Sequence, residues 1–463
     1  MILKNAKIYS EGLIHEGALL LNDGIISKIT LNPKENDFKK LIKRNQDNKE
    51  LDCQNKLILP GIIDIHSHLR DIGQSEKETF LTGTRAAAFS GITTVFNMPN
   101  TKPPAISSEQ VKTWMEKARS NINVNVGFIS GVPKGMDYNE ILKIIELGVI
   151  GFKIYPLNSL NEIDWTDVLN IQKLLHISCK FQIPIFIHPD WPLSEVEKAD
   201  LYQEFILERY AFLKFHNRVF PVQMEAKYVN FILENCYKII IDNNLDPENY
   251  PIIHFCHISC KESYSLIQKA LQMYTKLQIT FEVTPHHLLL SNEIQLGNPN
   301  TGKVLPPLRD KEHSLYLFEE LNQGNVNLIG TDHAPHTKEE KQEELSALSG
   351  FPGFETYPLV ILDKVFRFHL SFENFVKASS EYPALIFKLK NKGFIKEGYD
   401  ADLLIVDKVP DYKINPLNFK SKAKFSPFEE YITSVQIWKV FLRGIEVNNE
   451  KSVPNGKIIK RML

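Results

Sequence analysis

Seven short runs of β-branched and aromatic residues recur at helix-length spacing between residues 59 and 389: TTVFNMP, VNVGFIS, VIGFKIYP, IPIFIHP, YPIIHFCHIS, LQITFEVTP and VNLIGTDHAP. A run that is apolar along its whole length reads as a strand buried on both faces, and helical spacers between such strands require a parallel sheet. The LILPGIIDIHSH run supplies an eighth. The count predicts a (β/α)8 TIM barrel over residues 59–390. Polar residues fall at the C-terminal ends of the runs, where a barrel of this kind places its chemistry.

The flanks read differently. Residues 1–58 and 391–463 carry short alternating runs such as ILKNAKIYS, GALLLNDGIISKI, DADLLIVD and SVQIWKVFLRGIEV. Alternation bounded by turn residues predicts strands, and two β-rich ends flanking a barrel most simply pair into one small β-sandwich. Asn22-Asp23-Gly24 has the chemistry of a tight hairpin, because Gly24 accepts a positive φ without a Cβ clash. The charged, aromatic-rich stretch 193–233 reads as helical decoration after the strand that ends at His188. At 463 residues the chain accommodates a barrel of about 250 residues plus this module.

Composition narrows the function. Lys and Arg number 54 against 56 Asp and Glu, and no basic stripe interleaved with aromatics is present, so nucleic acid is not expected as a partner. Five cysteines, Cys53, Cys179, Cys236, Cys256 and Cys260, form no CxxC pair, which argues for a reducing compartment. Met1 to Lys7 lacks the basic, apolar and small-residue order of a secretion signal, and no stretch approaches the roughly 18 apolar residues of a membrane span. The expectation is a cytoplasmic protein.

His66 and His68 stand two apart in DIHSH, so on a strand both imidazoles leave the same face, close enough to share a metal ion. Alone the pair reads more readily as two surface or core histidines. His188, His257 and Asp332 each close another apolar run, and a buried carboxylate among imidazoles is costly unless a cation is coordinated there. Lys153, in VIGFKIYP, would be repelled by cations as an ammonium. It reads either as a lysine paired with a carboxylate or as a lysine carboxylated by CO2, whose carbamate bridges two metals. Metal-assisted hydrolysis of an amide, or its reversal, is the reaction class implied, with Asp332 as metal ligand and proton carrier.

These residues sit in longer motifs. PGIIDIHSHLRD, GTRAAAFSGITTVFNMPNTKP, GFKIY, EVTPHHLLL, PPLRD, TDHAPHTKEEK, PGFET and GYDADLLIVD resemble the dihydroorotase branch of the amidohydrolase superfamily over nearly the whole chain. The resemblance implies two zinc ions held by His66, His68, Lys153 in carboxylated form, His188, His257 and Asp332. It implies that Arg70, Asn100 and His336 bind the carboxylate of a small acidic substrate, with Leu305 and Gly350 presenting backbone groups to the ring. A guanidinium fork suits a carboxylate. Interconversion of dihydroorotate and N-carbamoyl-L-aspartate in pyrimidine synthesis is the implied reaction. The alternatives are a sibling cyclic amidohydrolase, allantoinase or dihydropyrimidinase, or a catalytically silent subunit of this kind. A homodimer, and association with an aspartate carbamoyltransferase, are also implied. His254, His286, His287 and His333 are expected to pack around the site without ligating.

Overall fold

Each of the eight runs becomes a strand of one parallel sheet. The structure, a computed structural model, describes residues 1–32, 49–208, 211–342 and 345–461. The strands are β1 (Ile62–Ser67), β2 (Ile92–Asn97), β3 (Asn125–Gly131), β4 (Gly151–Ile154), β5 (Ile185–Ile187), β6 (Ile252–Phe255), β7 (Gln278–Val283) and β8 (Leu328–Ile329). Neighbours pair in chain order, all parallel. Closure comes just past the strand ends, where Ser67 bridges His333 and the His68 amide donates to the His333 carbonyl at 2.8 Å. The barrel is thus sewn shut beside its candidate chemistry.

Alternate strand residues serve two cores, as a period of two requires. Val95, Val126, Phe152, Ile185, Ile253 and Phe281 pack with the surrounding helices through residues such as Trp114, Ile144, Leu174 and Leu317. Ile63, Ile65, Phe96, Ile129, Phe186 and Leu328 form a second cluster closed by Phe387 and Leu389. Phe186 is the register partner of both Lys153 and His254, so these three share the face away from the helices. The helix Phe80–Phe89 starts on a capping box, in which Thr79 accepts from the Thr82 amide and Thr82 serves the Thr79 amide, satisfying donors that a helix start leaves free.

The chain ends meet as expected. Strands Ile2–Ser10, Leu13–Asn22, Ile25–Leu31, Glu50–Asp52 and Leu57–Pro60 join Leu403–Lys413, Ile432–Leu442 and Ile445–Glu446 in a second sheet of eight strands. The ends pair directly, Leu57–Pro60 running antiparallel to Leu403–Val406. Leu3, Ile8, Leu19, Ile58, Leu403 and Phe441 make its own core. The hairpin at Asp23 and Gly24 has φ of 51° and 83°.

Two features depart from the simplest reading. LILPGIIDIHSH is two strands, Leu57–Pro60 in the small sheet and β1 in the barrel. Gly61 divides them, because a Cβ there would lie 2.3 Å from Thr93 Oγ1. At the other end the chain returns to the barrel, Ile458–Ile459 pairing in parallel with β3. The 193–233 stretch is helical, in helices Glu195–Glu208, Phe212–Val219 and Val222–Asp242. The last is fastened by a buried ion pair of Glu225 with Arg309 at 3.1 Å. No helix among the described residues is long and apolar enough to cross a membrane.

Candidate active site

The strand ends converge on a cavity of about 520 Å³, a size ordinary for a small-molecule site. His66, at the end of β1, and His68 just beyond it are followed by Leu69 and Arg70, all buried. His66 Nε2 lies 3.4 Å and His68 Nε2 3.0 Å from Asp332 Oδ1. The one ligand atom offered by each of these three lies within 4.8 Å of the other two. His257 follows β6 and His188 follows β5; their rings are 4.5 Å apart, and His257 is 5.2 Å from His66. All five line the cavity. Lys153 does not: its Nζ lies 2.8 Å from Cys256 Sγ, 2% of the residue is exposed, and it stands 5.2 Å from the Tyr155 ring.

The donor set fits a cation. Glu282 is fully buried and accepts from His66 Nδ1. Although burial opposes ionisation, His66 and His254 hold its carboxyl below the usual range. An ionised carboxylate only accepts, so Nδ1 carries a proton; against its burial, Glu282 raises His66 to about 10, and the resulting imidazolium faces Asp332 from Nε2. Asp332 is also held below the usual range, by His66 and His68 against its own burial. His68, which burial lowers to about 4, is neutral and donates from Nδ1 to Asn100 Oδ1, so its Nε2 lone pair faces Asp332 acceptor to acceptor, an arrangement that a cation between them would relieve. His188 Nε2 and His257 Nδ1 are buried with no hydrogen-bond partner among the described residues, which metal coordination would repair. Burial, then Lys153, lowers His188 to about 3, and burial with His188 drives His257 well down. Both imidazoles are therefore neutral near pH 7, the form that ligates.

Arg70 brings a cationic group to the cavity lining. Arg70 donates from Nε to the Pro335 carbonyl at 3.1 Å and from Nη2 toward His336 Nε2 at 3.2 Å. Its carboxylate alternatives are engaged elsewhere, Asp71 with Ser75 and the Phe80 amide and Asp64 with Thr331. Asn100 Oδ1 meets His68 Nδ1 at 2.7 Å, which leaves its amide nitrogen to donate. Leu305, His336 and Gly350 complete the lining, with Lys303, Tyr155 and Phe220. His254, His287 and His333 are hydrogen-bonded away from the cavity, to Thr280, Thr284 and the Gly353 amide respectively. His286 Nε2 is buried without a partner among the described residues.

Glu282, Tyr155 and Lys303 were not singled out by sequence. Glu282 had a signal, a lone carboxylate inside the apolar run ITFEV; Tyr155 and Lys303 had none beyond their neighbours.

A dihydroorotase from Methanosphaera stadtmanae is 32% identical to this chain over 443 residues, covering 94% of it and 93% of that protein. The chain belongs to the dihydroorotase family. A second family member, the dihydroorotase from Pyrococcus abyssi, is 32% identical over 460 residues, covering 98% of this chain and 97% of its own length. The dihydro-orotase-like family model matches residues 55–154 and the amidohydrolase family model residues 246–457. Among solved structures the fold is similar to the L-hydantoinase (dihydropyrimidinase) of Arthrobacter aurescens, with TM-score 0.86, 24% identity and 99% of both chains covered. It is also similar to a dihydropyrimidinase from Brevibacillus agri, with TM-score 0.84, 21% identity, and 99% and 98% covered. At that identity these two describe the fold that dihydroorotases share with their siblings.

Proposed function

We propose that this chain is a dihydroorotase, hydrolysing the cyclic amide of dihydroorotate to N-carbamoyl-L-aspartate and catalysing the reverse cyclisation, in cytoplasmic pyrimidine synthesis. The observation that carries the reading is the meeting of His66, His68 and Asp332 at one point in the cavity that also presents Arg70 and His336.

His66, His68, His188, His257 and Asp332 would hold two zinc ions, with Lys153 as the bridge in carboxylated form. When bound, such ions polarise the scissile carbonyl and acidify water. Asp332 takes the proton of the attacking water as its oxygen adds to the ring carbonyl carbon. It then delivers that proton to the ring nitrogen as the C–N bond breaks. Arg70, the Asn100 amide nitrogen and His336 receive the substrate carboxylate, while Leu305 and Gly350 face the ring. A neutral hydantoin ring has no group to answer Arg70, which favours dihydroorotate over the substrates of sibling enzymes.

The test compares turnover of dihydroorotate, hydantoin and allantoin, with zinc measured on the same preparation. Dihydroorotate is the expected substrate with about two zinc ions per chain, and Asp332→Ala is expected to lower turnover by about 10³-fold or more. Allantoin as the sole good substrate, or an active Asp332→Ala, overturns the reading. For the bridge, Lys153→Ala should lose metal and activity, with partial recovery on adding short carboxylic acids and zinc; full activity in that variant removes the carbamate.

A further inference from the structure

One wall of the cavity is made by residues 345–350 and 303–305, segments with no regular secondary structure. Behind them lies Lys341, 2% exposed. Its Nζ donates to three backbone carbonyls: Lys303 at 3.2 Å, Leu348 at 2.8 Å and Gly350 at 2.9 Å. An ammonium has three protons, and here each serves a different turn of the wall. No carboxylate is among those partners. Burying an ammonium on carbonyls alone is costly unless every proton is used, so the residue's position has the character of a tether.

Further hydrogen bonds join the same segments around Lys341. The Gly350 amide donates to the Lys303 carbonyl at 2.9 Å, and the Leu348 amide to the Glu340 carbonyl at 3.1 Å. Lys303 Nζ reaches the Leu345 carbonyl at 3.0 Å, and Asn300 Nδ2 holds the Lys341 carbonyl at 3.0 Å. Gly350 has φ +124°, and a Cβ there would sit 2.7 Å from the Ala334 carbonyl oxygen. The wall therefore holds a backbone shape that an untethered segment would not keep.

We infer that Lys341 is a positioning residue for substrate binding, joining the segment that presents Leu305 to the one that presents Gly350 so that both face the cavity as one preformed surface. Lys341 itself does not line the cavity. The proposal rests on the dihydroorotase reading only for the identity of the substrate. Geometry is reinforced by charge: burial, followed by Lys303, lowers the Lys341 ammonium to about 7, with Glu340 opposing. The other groups facing it are the Phe425 ring, 5.7 Å away, and the His336 imidazole, which it depresses. A neutral amine has two protons for three carbonyls, so the wall loosens as pH rises through about 7.

The experiment uses the full-length zinc-loaded protein. In Lys341→Met, backbone amides of 345–350 should exchange with deuterium about tenfold faster or more, while the barrel strands keep their protection. KM for dihydroorotate should rise about tenfold with kcat within about threefold and zinc content unaltered, since only ground-state positioning is removed. Lys341→Arg, which keeps charge and donors, should recover much of the KM. In the unaltered protein KM should rise above about pH 7, and this measurement needs no variant should Lys341→Met fail to fold. Unchanged exchange in a folded Lys341→Met, or a wild-type KM flat between about pH 6 and 9, overturns the tether. A wild-type protein that does not turn over dihydroorotate overturns the functional reading instead, and the exchange result still judges Lys341.

Discussion

Glu282 lies at the hub of the histidine cluster. Besides His66 Nδ1, it lies 3.2 Å from His254 Nε2 and accepts from the His257 amide at 3.1 Å, so one carboxylate sets the ring of the candidate ligand on β1 and the backbone of the candidate ligand that follows β6. A carboxylate behind a ligating imidazole fixes its tautomer and raises its basicity. Glu282→Gln keeps the volume and removes the charge. It should weaken zinc binding about 10- to 100-fold, read by competition with a chelator, with the circular dichroism spectrum preserved; unchanged affinity would show that the carboxylate does no more than fill space. The position was poorly legible in sequence because its partner His66 is 216 residues away. His66 and His68 were legible for the opposite reason, since a spacing of two on a strand is local geometry. Lys153 lies between: its oddity in an apolar run was visible, but its contact with Cys256 was not.

At the scale of elements, the loop that follows Arg70 is held from outside the barrel. Glu78, fully buried, accepts from Ser421 Oγ, from Thr82 Oγ1 and from the Lys422 amide at 3.3 Å. It thereby joins the entrance to the first barrel helix to a segment more than 340 residues later. Burial opposes its ionisation, but His333, Ser421 and Thr82 hold its pKa below the ordinary 4.5. A depressed carboxylate contributes stability that is full above its unfolded pKa and lost as pH falls through the folded value. Glu78→Gln should therefore cost about 1–3 kcal/mol at neutral pH, and the gap to wild type should narrow as pH falls below the ordinary 4.5 and on through the lower folded value, where Glu78 too becomes uncharged. Urea unfolding at pH 7 and at acid pH measures it, and a gap independent of pH refutes the charge argument. Strands and helices of the barrel were readable from periodicity, whereas this fastening was not, because no local pattern marks a carboxylate that caps a distant loop.

For the whole molecule, the sequence by itself determined the number and order of the barrel strands, the β character of both ends, and which polar groups stand at strand ends. Those follow from periods of two and 3.6 residues and from the cost of burying charge, which act over a few residues at a time. Tertiary structure alone decided that LILPGIIDIHSH divides at Gly61, where Thr93 leaves no room for a Cβ, and that Ile458–Ile459 return to β3. It also decided that Glu282 joins the histidines and that Lys341 ties two cavity segments together. Each of these depends on groups brought together only by closure of the barrel, and no short-range pattern encodes a contact whose partners lie on different strands.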